Sequence, residues 1–356
     1  MRSTLAFRRV LPTLPPFMLE ERNSDQTTSV RDSEAFFAPL RGHLRLLDEF
    51  LVAQVNEFEP AVRDLVRYTF AHRGKRLRPA LLFYAGWTDG LPSADLVRAA
   101  AVVELVHLAT LIHDDILDEA ALRHNSLTVA AKYGQHPAVL LGDALFAQAL
   151  KLASEFSTTE VCRLVSVATR QVCSGEICQT FDRDNASLSL EQYFRIIRLK
   201  TAELFEVSCR LGAGLISPDA GYIDACALYG RHLGVAYQIF DDISDFSGDE
   251  ASIGKTLGTD LASGKFTLPT LLYLRRLAPA EATTLAAALV KREITPVRLA
   301  ALMTDAGVPA ECFTVFYAEV DKAEAAIAAY SATPAVGRLL ELSGYVRERI
   351  SGLNFT

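Results

Sequence analysis

Asp114, Asp115 and Asp118 stand at i, i+1 and i+4 in the stretch LATLIHDDILDEAALRH, residues 108–124. On a helix, Asp114 and Asp118 share one face a turn apart, and Asp115 is rotated from Asp114 by about 100°. Like charges at that spacing repel. A compensating cation is implied. Mg2+ suits the pattern, because it binds through one or two carboxylates while substrate phosphate and water complete its shell. A single cluster of this kind is as readily a solvated acidic helix end. A second copy changes the weighing: YQIFDDISDFSGD repeats the spacing with Asp241, Asp242 and Asp245, again at the end of an apolar run. Two carboxylate clusters closing two buried helices predict one site gripped from both sides.

Basic groups answer these acids. HRGKRLRPALL places Arg73, Lys75, Arg76 and Arg78 just before a helix that Pro79 helps to start. Backbone N–H groups at a helix start favour anions, arginine offers a forked donor set and lysine a point charge. A diphosphate site fits, against the plainer reading of a solvated basic face. The long segment after the second cluster, GKTLGTDLASGKFTLP, carries Lys255 and Lys265, each after a glycine. It fails the P-loop pattern, having Thr259 where glycine and Phe266 where serine or threonine is needed. A cationic flap that closes over a phosphorylated substrate is the expectation that remains.

These groups must be held by helices. The 356-residue chain is 50% hydrophobic and shows helical periodicity almost everywhere from about residue 40, with few alternating patterns, so it reads as all-α. No composition break divides residues 40–350, and residues 36–356 are expected to form a single domain; residues 1–35 read as a disordered extension. A transit peptide is the other reading of that extension, since Arg2, Arg8 and Arg9 precede any acid, but Pro12, Pro15 and Pro16 oppose an amphipathic helix. The net charge of −7 argues against a nucleic-acid binder. No uninterrupted apolar run reaches the roughly eighteen residues of a membrane span. The six cysteines form no C-x-x-C pair and read as reduced core thiols of a cytoplasmic chain.

GKRLRP, HDDILD followed by an arginine, KTAELFE, YQIFDDISD and GKTLGTDLASGKFTLP occur in the order found in the trans-type polyprenyl diphosphate synthases. The resemblance covers roughly residues 40–350 and is greatest to the long-chain enzymes that make quinone side chains, of the octaprenyl and solanesyl diphosphate type. It implies an isoprenoid synthase-type helical bundle around a central cavity. The implied activity is head-to-tail condensation of isopentenyl diphosphate with an allylic prenyl diphosphate. Two or three Mg2+ ions would be held by Asp114, Asp118, Asp241 and Asp245. The allylic substrate would meet Arg123, Lys200, Thr201, Gln238, Lys255 and Lys265. Isopentenyl diphosphate would meet Lys75, Arg78 and His107. His124 stands where most relatives carry a second arginine, and is expected to make a protonation-dependent contact there. Phe205, Tyr237 and Phe240 are candidates to face the hydrocarbon.

Chain length is expected to follow from the helix before Asp114. Ala109 and Thr110 lie about one turn deeper, with Val106 beyond them, where short-chain relatives usually place aromatic residues. A long product is therefore expected unless Phe146 closes the tunnel. Resemblance also favours a homodimer, with transient membrane contact when the product leaves. Three other readings compete with this one. A class I terpene cyclase usually has serine or threonine where Asp245 stands. An HD-type phosphohydrolase, suggested by His113-Asp114, has no use for the second cluster. A non-catalytic subunit of a heteromeric synthase would tend to lose acidic residues, and here both motifs are intact.

Overall fold

The computed structural model describes residues 37–71, 74–123, 126–247 and 258–353. The helices that matter to the site are α1 (Arg41–Gln54), α2 (Arg63–Ala71), α3 (Leu77–Ala85), α4 (Ala94–Leu117), α5 (Val129–Tyr133), α6 (Gln135–Ser154), α7 (Glu160–Phe181), α8 (Leu190–Ile197), α9 (Glu203–Ile216) and α10 (Ala220–Ser244). They are followed by α11 (Thr259–Ala262), α12 (Leu268–Arg276), α13 (Pro279–Val290), α14 (Pro296–Asp305), α15 (Val308–Ile327) and α16 (Pro334–Ser351). One departure from the all-helical expectation is a hairpin. Strands β1 (Leu122–Arg123) and β2 (Ser126–Leu127) pair antiparallel, with Leu122 opposite Leu127. This ladder folds the chain back just after the first acidic cluster, and so returns Arg123 toward it.

Two long helices carry the two clusters. Ser93 starts α4 by accepting a hydrogen bond from the Leu96 N–H at 3.2 Å, and Asp219 starts α10 by accepting from Gly221 and Tyr222. Alanine, valine and leucine line α4 on all sides, so it has no polar face to give to solvent and lies in the interior. It packs on α6; α10 packs on α9 and α15, and α9 on α3. A single hydrophobic core runs from Leu40 on the first turn to Ile350 on α16. Truncating a fully buried member such as Leu105 to alanine would cost about 2–5 kcal/mol. Among the described residues α4 is the one single helix long and apolar enough to cross a membrane, but 72% of its most apolar stretch is buried inside the protein. It is the core helix of the bundle.

Candidate active site

The first cluster ends α4 and is met by cations from four other segments. Lys200 Nζ lies 3.9 Å from the Asp114 carboxylate, pairs with Glu176 of α7, and donates to Gln179 Oε1 at 2.8 Å. Asp115 accepts from Arg123 Nε at 2.7 Å. Asp118 accepts from Arg183 at 2.7 Å and, through its other oxygen, from Lys265 at 2.8 Å. Burial pushes the Asp114 carboxyl up to about 6, with Lys200 opposing and Glu176 and Asp118 adding to the rise. Burial also raises Asp115, against the charge of Arg123. Burial works on Asp118 in the same sense, but Lys265, Lys200 and Arg183 overcome it and hold that carboxyl below its ordinary value. Lys200 is raised: burial alone would lower it, and Asp114 and Glu176 more than compensate.

The second cluster ends α10 under different constraints. Asp242 is buried, accepting from Tyr193 at 2.5 Å and from Gln238 at 2.8 Å, and burial pushes it up to about 7 despite those bonds. Asp245, expected as a metal ligand, is engaged by the chain that folds back over it. Its two oxygens accept from the Thr259 N–H, the Thr259 hydroxyl and the Asp260 N–H at 3.2, 2.9 and 3.1 Å, so it caps α11. Asp241 is the half-buried member of the three.

Two bridges join the clusters. Lys200, beside Asp114, is followed by Thr201, whose hydroxyl donates to Gln238 at 2.6 Å; Gln238 in turn donates to Asp242. Lys265, on Asp118, follows the turn that Asp245 caps, and its own N–H donates to Asp260 O at 2.8 Å. The two clusters are therefore linked, the juxtaposition that a site gripped from both sides requires.

Lys200 and Thr201 reach this position through a backbone irregularity. Residues Arg198–Ala202 form a π-helical turn between α8 and α9, a widened turn often found at functional sites. Two glycines make room for it. A Cβ on Gly175 of α7 would lie 2.5 Å from Lys200 N, and one on Gly234 of α10 would lie 2.6 Å from Ala202 Cα.

At the start of α3, Arg78 lies 3.0 Å from His107 Nε2 and 5.1 Å over the ring of Phe205, and burial lowers its pKa. Lys75 lines a small open cleft with Phe37, Tyr237, Phe240, Tyr345 and Arg349. Tyr237 and Phe240 thus face the cleft, whereas Phe205 is fully buried and serves as the platform for Arg78. Arg76 is diverted from substrate: it is paired with Glu104 and Asp48, in the left-handed backbone conformation at φ 50°. His113 points to α6, 3.1 Å from Val139 O and 3.7 Å from Asp143, away from the acidic pair it precedes. Ala109 and Val106 are buried in α4, Thr110 donates to His107 O at 2.8 Å, and Phe146 of α6 packs 5.7 Å from the His113 ring. Lys255 and His124 lie outside the described residues.

Sequence reasoning missed Glu176, Gln179, Arg183 and Arg349. Glu176 and Gln179 lie at i, i+3 on one face of α7, a legible signal, but their partner is set by the π turn. Arg183 stands alone just past α7 and gave no pattern. Arg349 on α16 is joined to Lys75 only by the fold.

Among the described residues no three His, Cys, Asp or Glu side chains form a ready metal cage. The donor set nevertheless fits a hard divalent ion that arrives with an anionic substrate: oxygens only, few from the protein, and nearby cations for phosphate. Buried N–H donors without a protein partner at Arg78 Nε and Arg183 Nε point the same way.

The polyprenyl synthetase family model matches residues 59–305. An octaprenyl diphosphate synthase of Haemophilus influenzae is 33% identical over 232 residues, covering 65% of this chain and 70% of the relative. The crystal structure of a decaprenyl diphosphate synthase from Rhodobacter capsulatus superposes with a TM-score of 0.82 at 29% identity, over 89% of this chain and 99% of that one. A polyprenyl synthase from Caulobacter crescentus CB15, complexed with calcium and isoprenyl diphosphate, gives a TM-score of 0.77 at 30% identity over 92% of this chain and 99% of that one. With its acidic clusters, π turn and basic groups brought to one site, the chain belongs to the polyprenyl synthetase family.

Proposed function

We propose that this protein is a Mg2+-dependent prenyltransferase that condenses isopentenyl diphosphate head-to-tail with an allylic prenyl diphosphate, making a long trans-polyprenyl diphosphate of the kind used in quinone side chains. The observation that carries this reading is the pair of bridges joining the two clusters. Asp114, Asp118 and Asp241 would hold the metal, whose role when bound is to offset charge on the departing diphosphate. Asp245 would act one step back, by fixing the turn that presents Lys265.

Lys200, Lys265 and Arg183 sit where the allylic diphosphate must lie, and stabilise it as the C–O bond breaks. Arg123, Thr201 and Gln238 frame the same half of the site. Lys75, Arg78 and His107 hold isopentenyl diphosphate, with Arg349 as a further cation over the cleft. The double bond of isopentenyl diphosphate attacks the allylic carbon, and the released diphosphate accepts the proton lost from the new unit. Apolar walls exclude water from the cation. The Caulobacter relative's complex with calcium and isoprenyl diphosphate supports the reading.

Small residues at Ala109, Thr110 and Val106 leave the hydrocarbon room to descend along α4, where each turn rises roughly 5.4 Å. Residues 36–356 act as one domain, supported by the continuous core. The chain works as a homodimer. Exposed apolar side chains support this: Val139 and Leu140 of α6 and Ile177 and Phe181 of α7, two helices that pack together, and Leu122 and Leu127 of the hairpin. Its six cysteines are free thiols, which suits the cytoplasm, with brief membrane contact as product leaves. A relative from Bacillus subtilis, 31% identical over 75% of this chain and 77% of its own length, is named component 2 of a heptaprenyl diphosphate synthase, so a mass measurement has a mixed assembly as its other outcome.

The test is incubation with isopentenyl diphosphate, Mg2+ and allylic primers of several lengths, resolving products by chain length. Long products are expected, and Ala109→Phe should shorten them. A wild-type product of only three isoprene units would contradict the chain-length reading; no elongation would contradict the function.

A further inference from the structure

Arg183 and Lys265 come from different segments, yet both end on Asp118, one on each oxygen. What sets them there lies one residue away from each. The Asp184 N–H donates to Gly264 O at 2.8 Å, tying the turn after α7 to the turn after α11. Arg292, just past α13, closes the joint from outside: one terminal nitrogen donates to the Asp184 carboxylate at 2.6 Å and Nε donates to Ala262 O at 3.3 Å.

Three left-handed residues meet at this point, Asp184 at φ 58°, Gly264 at φ 80° and Arg292 at φ 59°. Gly264 at that φ disfavours any side chain, and a Cβ there would press on the latch itself, 2.8 Å from Asp184 Oδ1 and 3.0 Å from an Arg292 nitrogen. Arg292 itself is anchored by donating to Leu289 O and Val290 O at 3.2 and 2.8 Å, and 37% of its side chain remains exposed. A joint of this build fixes backbone, not charge, at the site. Moving Gly264 moves Lys265, and moving Asp184 moves Arg183.

We infer that Asp184 and Arg292, which lie in none of the acidic or basic motifs, are positioning residues for the allylic half of the site. Their latch sets Arg183 and Lys265 together on the first acidic cluster. The inference rests on the prenyltransferase reading, in which those two cations receive the allylic diphosphate. The isopentenyl half, built from α3 and α4, shares no residue with the latch.

The experiment is steady-state kinetics on the full chain with Mg2+, isopentenyl diphosphate and farnesyl diphosphate as the allylic probe, alongside thermal unfolding. Arg292→Ala and Asp184→Asn should each raise the allylic KM roughly three- to fivefold, the size expected for a half-exposed pair. Each should leave the isopentenyl diphosphate KM within about twofold. The double variant should be no worse than either single one, and Asp184→Arg combined with Arg292→Asp should recover part of the loss. Arg292→Lys, which keeps the charge and loses the fork, provides a milder variant should alanine unfold the chain. An unchanged allylic KM with a lowered unfolding temperature would overturn the latch and leave a purely structural joint. Equal rises in both KM values would overturn it too. A wild-type enzyme that does not elongate farnesyl diphosphate would instead overturn the function on which the latch rests.

Discussion

The two acidic clusters have the same spacing and end similar helices, yet their carboxylates are held in opposite ways. At Asp114, Asp115 and Asp118 the partners are cations brought from elsewhere: Lys200, Arg123, Arg183 and Lys265. Among the described residues, the hydrogen bonds to Asp242 and Asp245 come from neutral donors: the Tyr193 hydroxyl, the Gln238 amide, the Thr259 hydroxyl and two backbone N–H groups. Ion pairs at the site's edge can be exchanged for a metal and a diphosphate at modest cost, because the same cations then turn to the phosphate oxygens. Carboxylates tied to buried neutral donors cannot be released so easily, since each broken bond strands a donor. On the proposed function, the first cluster would then serve as a binding surface, and the second mainly as a brace with Asp241 as its working member.

The sharpest way to break that contrast is to neutralise one carboxylate at a time. Asp114→Asn and Asp241→Asn should each lower turnover by about 10²–10³, the usual scale for losing a group that stabilises charge in the transition state. Unfolding temperatures should hardly move. Near-normal turnover in either variant would show that the cluster it belongs to is not part of the metal site.

Gly175→Ala tests the first cluster without touching a charge. The added methyl meets Lys200 N at 2.5 Å, so the π turn must shift or the core must open, at about 1–3 kcal/mol of stability. Turnover should fall with it, since Lys200 loses its place beside Asp114. Denaturant titration and initial rates on the same preparation check both parts.

Asp245→Asn should behave unlike Asp241→Asn. It weakens the cap on α11 and removes a charge-assisted acceptor, costing about 1–2 kcal/mol in denaturant unfolding. Its effect on turnover should be smaller than its neighbour's and should appear in the allylic KM, through Lys265.

The bundle was legible in sequence because apolar periodicity and helix stops are local signals. α4 and α10, with Asp114 and Asp241 at their ends, follow directly from such patterns. Lys200 is expected at the site only through the resemblance that KTAELFE carries, because the π turn that places it depends on Gly175 and Gly234 from two other helices. Arg183 was not visible at all, since its value arises from a contact with Asp118 across 65 residues of chain. Asp245 shows the converse. Its spacing repeats that of Asp118, but nothing in the spacing reports that Thr259 and Asp260 fold back to claim its oxygens.

The smallest expected effect lies in a third acidic pair, outside both clusters. Burial, helped by the charge of Glu206, pushes Glu203 at the start of α9 up to about 7 from an ordinary 4.5. The folded chain then binds more protons than the unfolded chain between those values, so this residue's contribution to stability falls as pH rises through that window. Solvent at this half-buried site limits the loss to roughly 1 kcal/mol or less. Glu203→Gln should therefore match wild type near the acidic end and be the more stable protein above about pH 8, as read by denaturant midpoints. A constant difference across the range would assign the effect to packing.

The central claim, that two clusters make one metal-diphosphate site, is tested most directly by calorimetric titration of inorganic pyrophosphate into the protein with and without Mg2+. Binding should be weak without the metal and tight with it, lost in both Asp114→Asn and Asp241→Asn, and retained in Asp245→Asn. Pyrophosphate binding that is indifferent to Mg2+, or that survives the loss of either Asp114 or Asp241, would contradict a site shared between the two clusters.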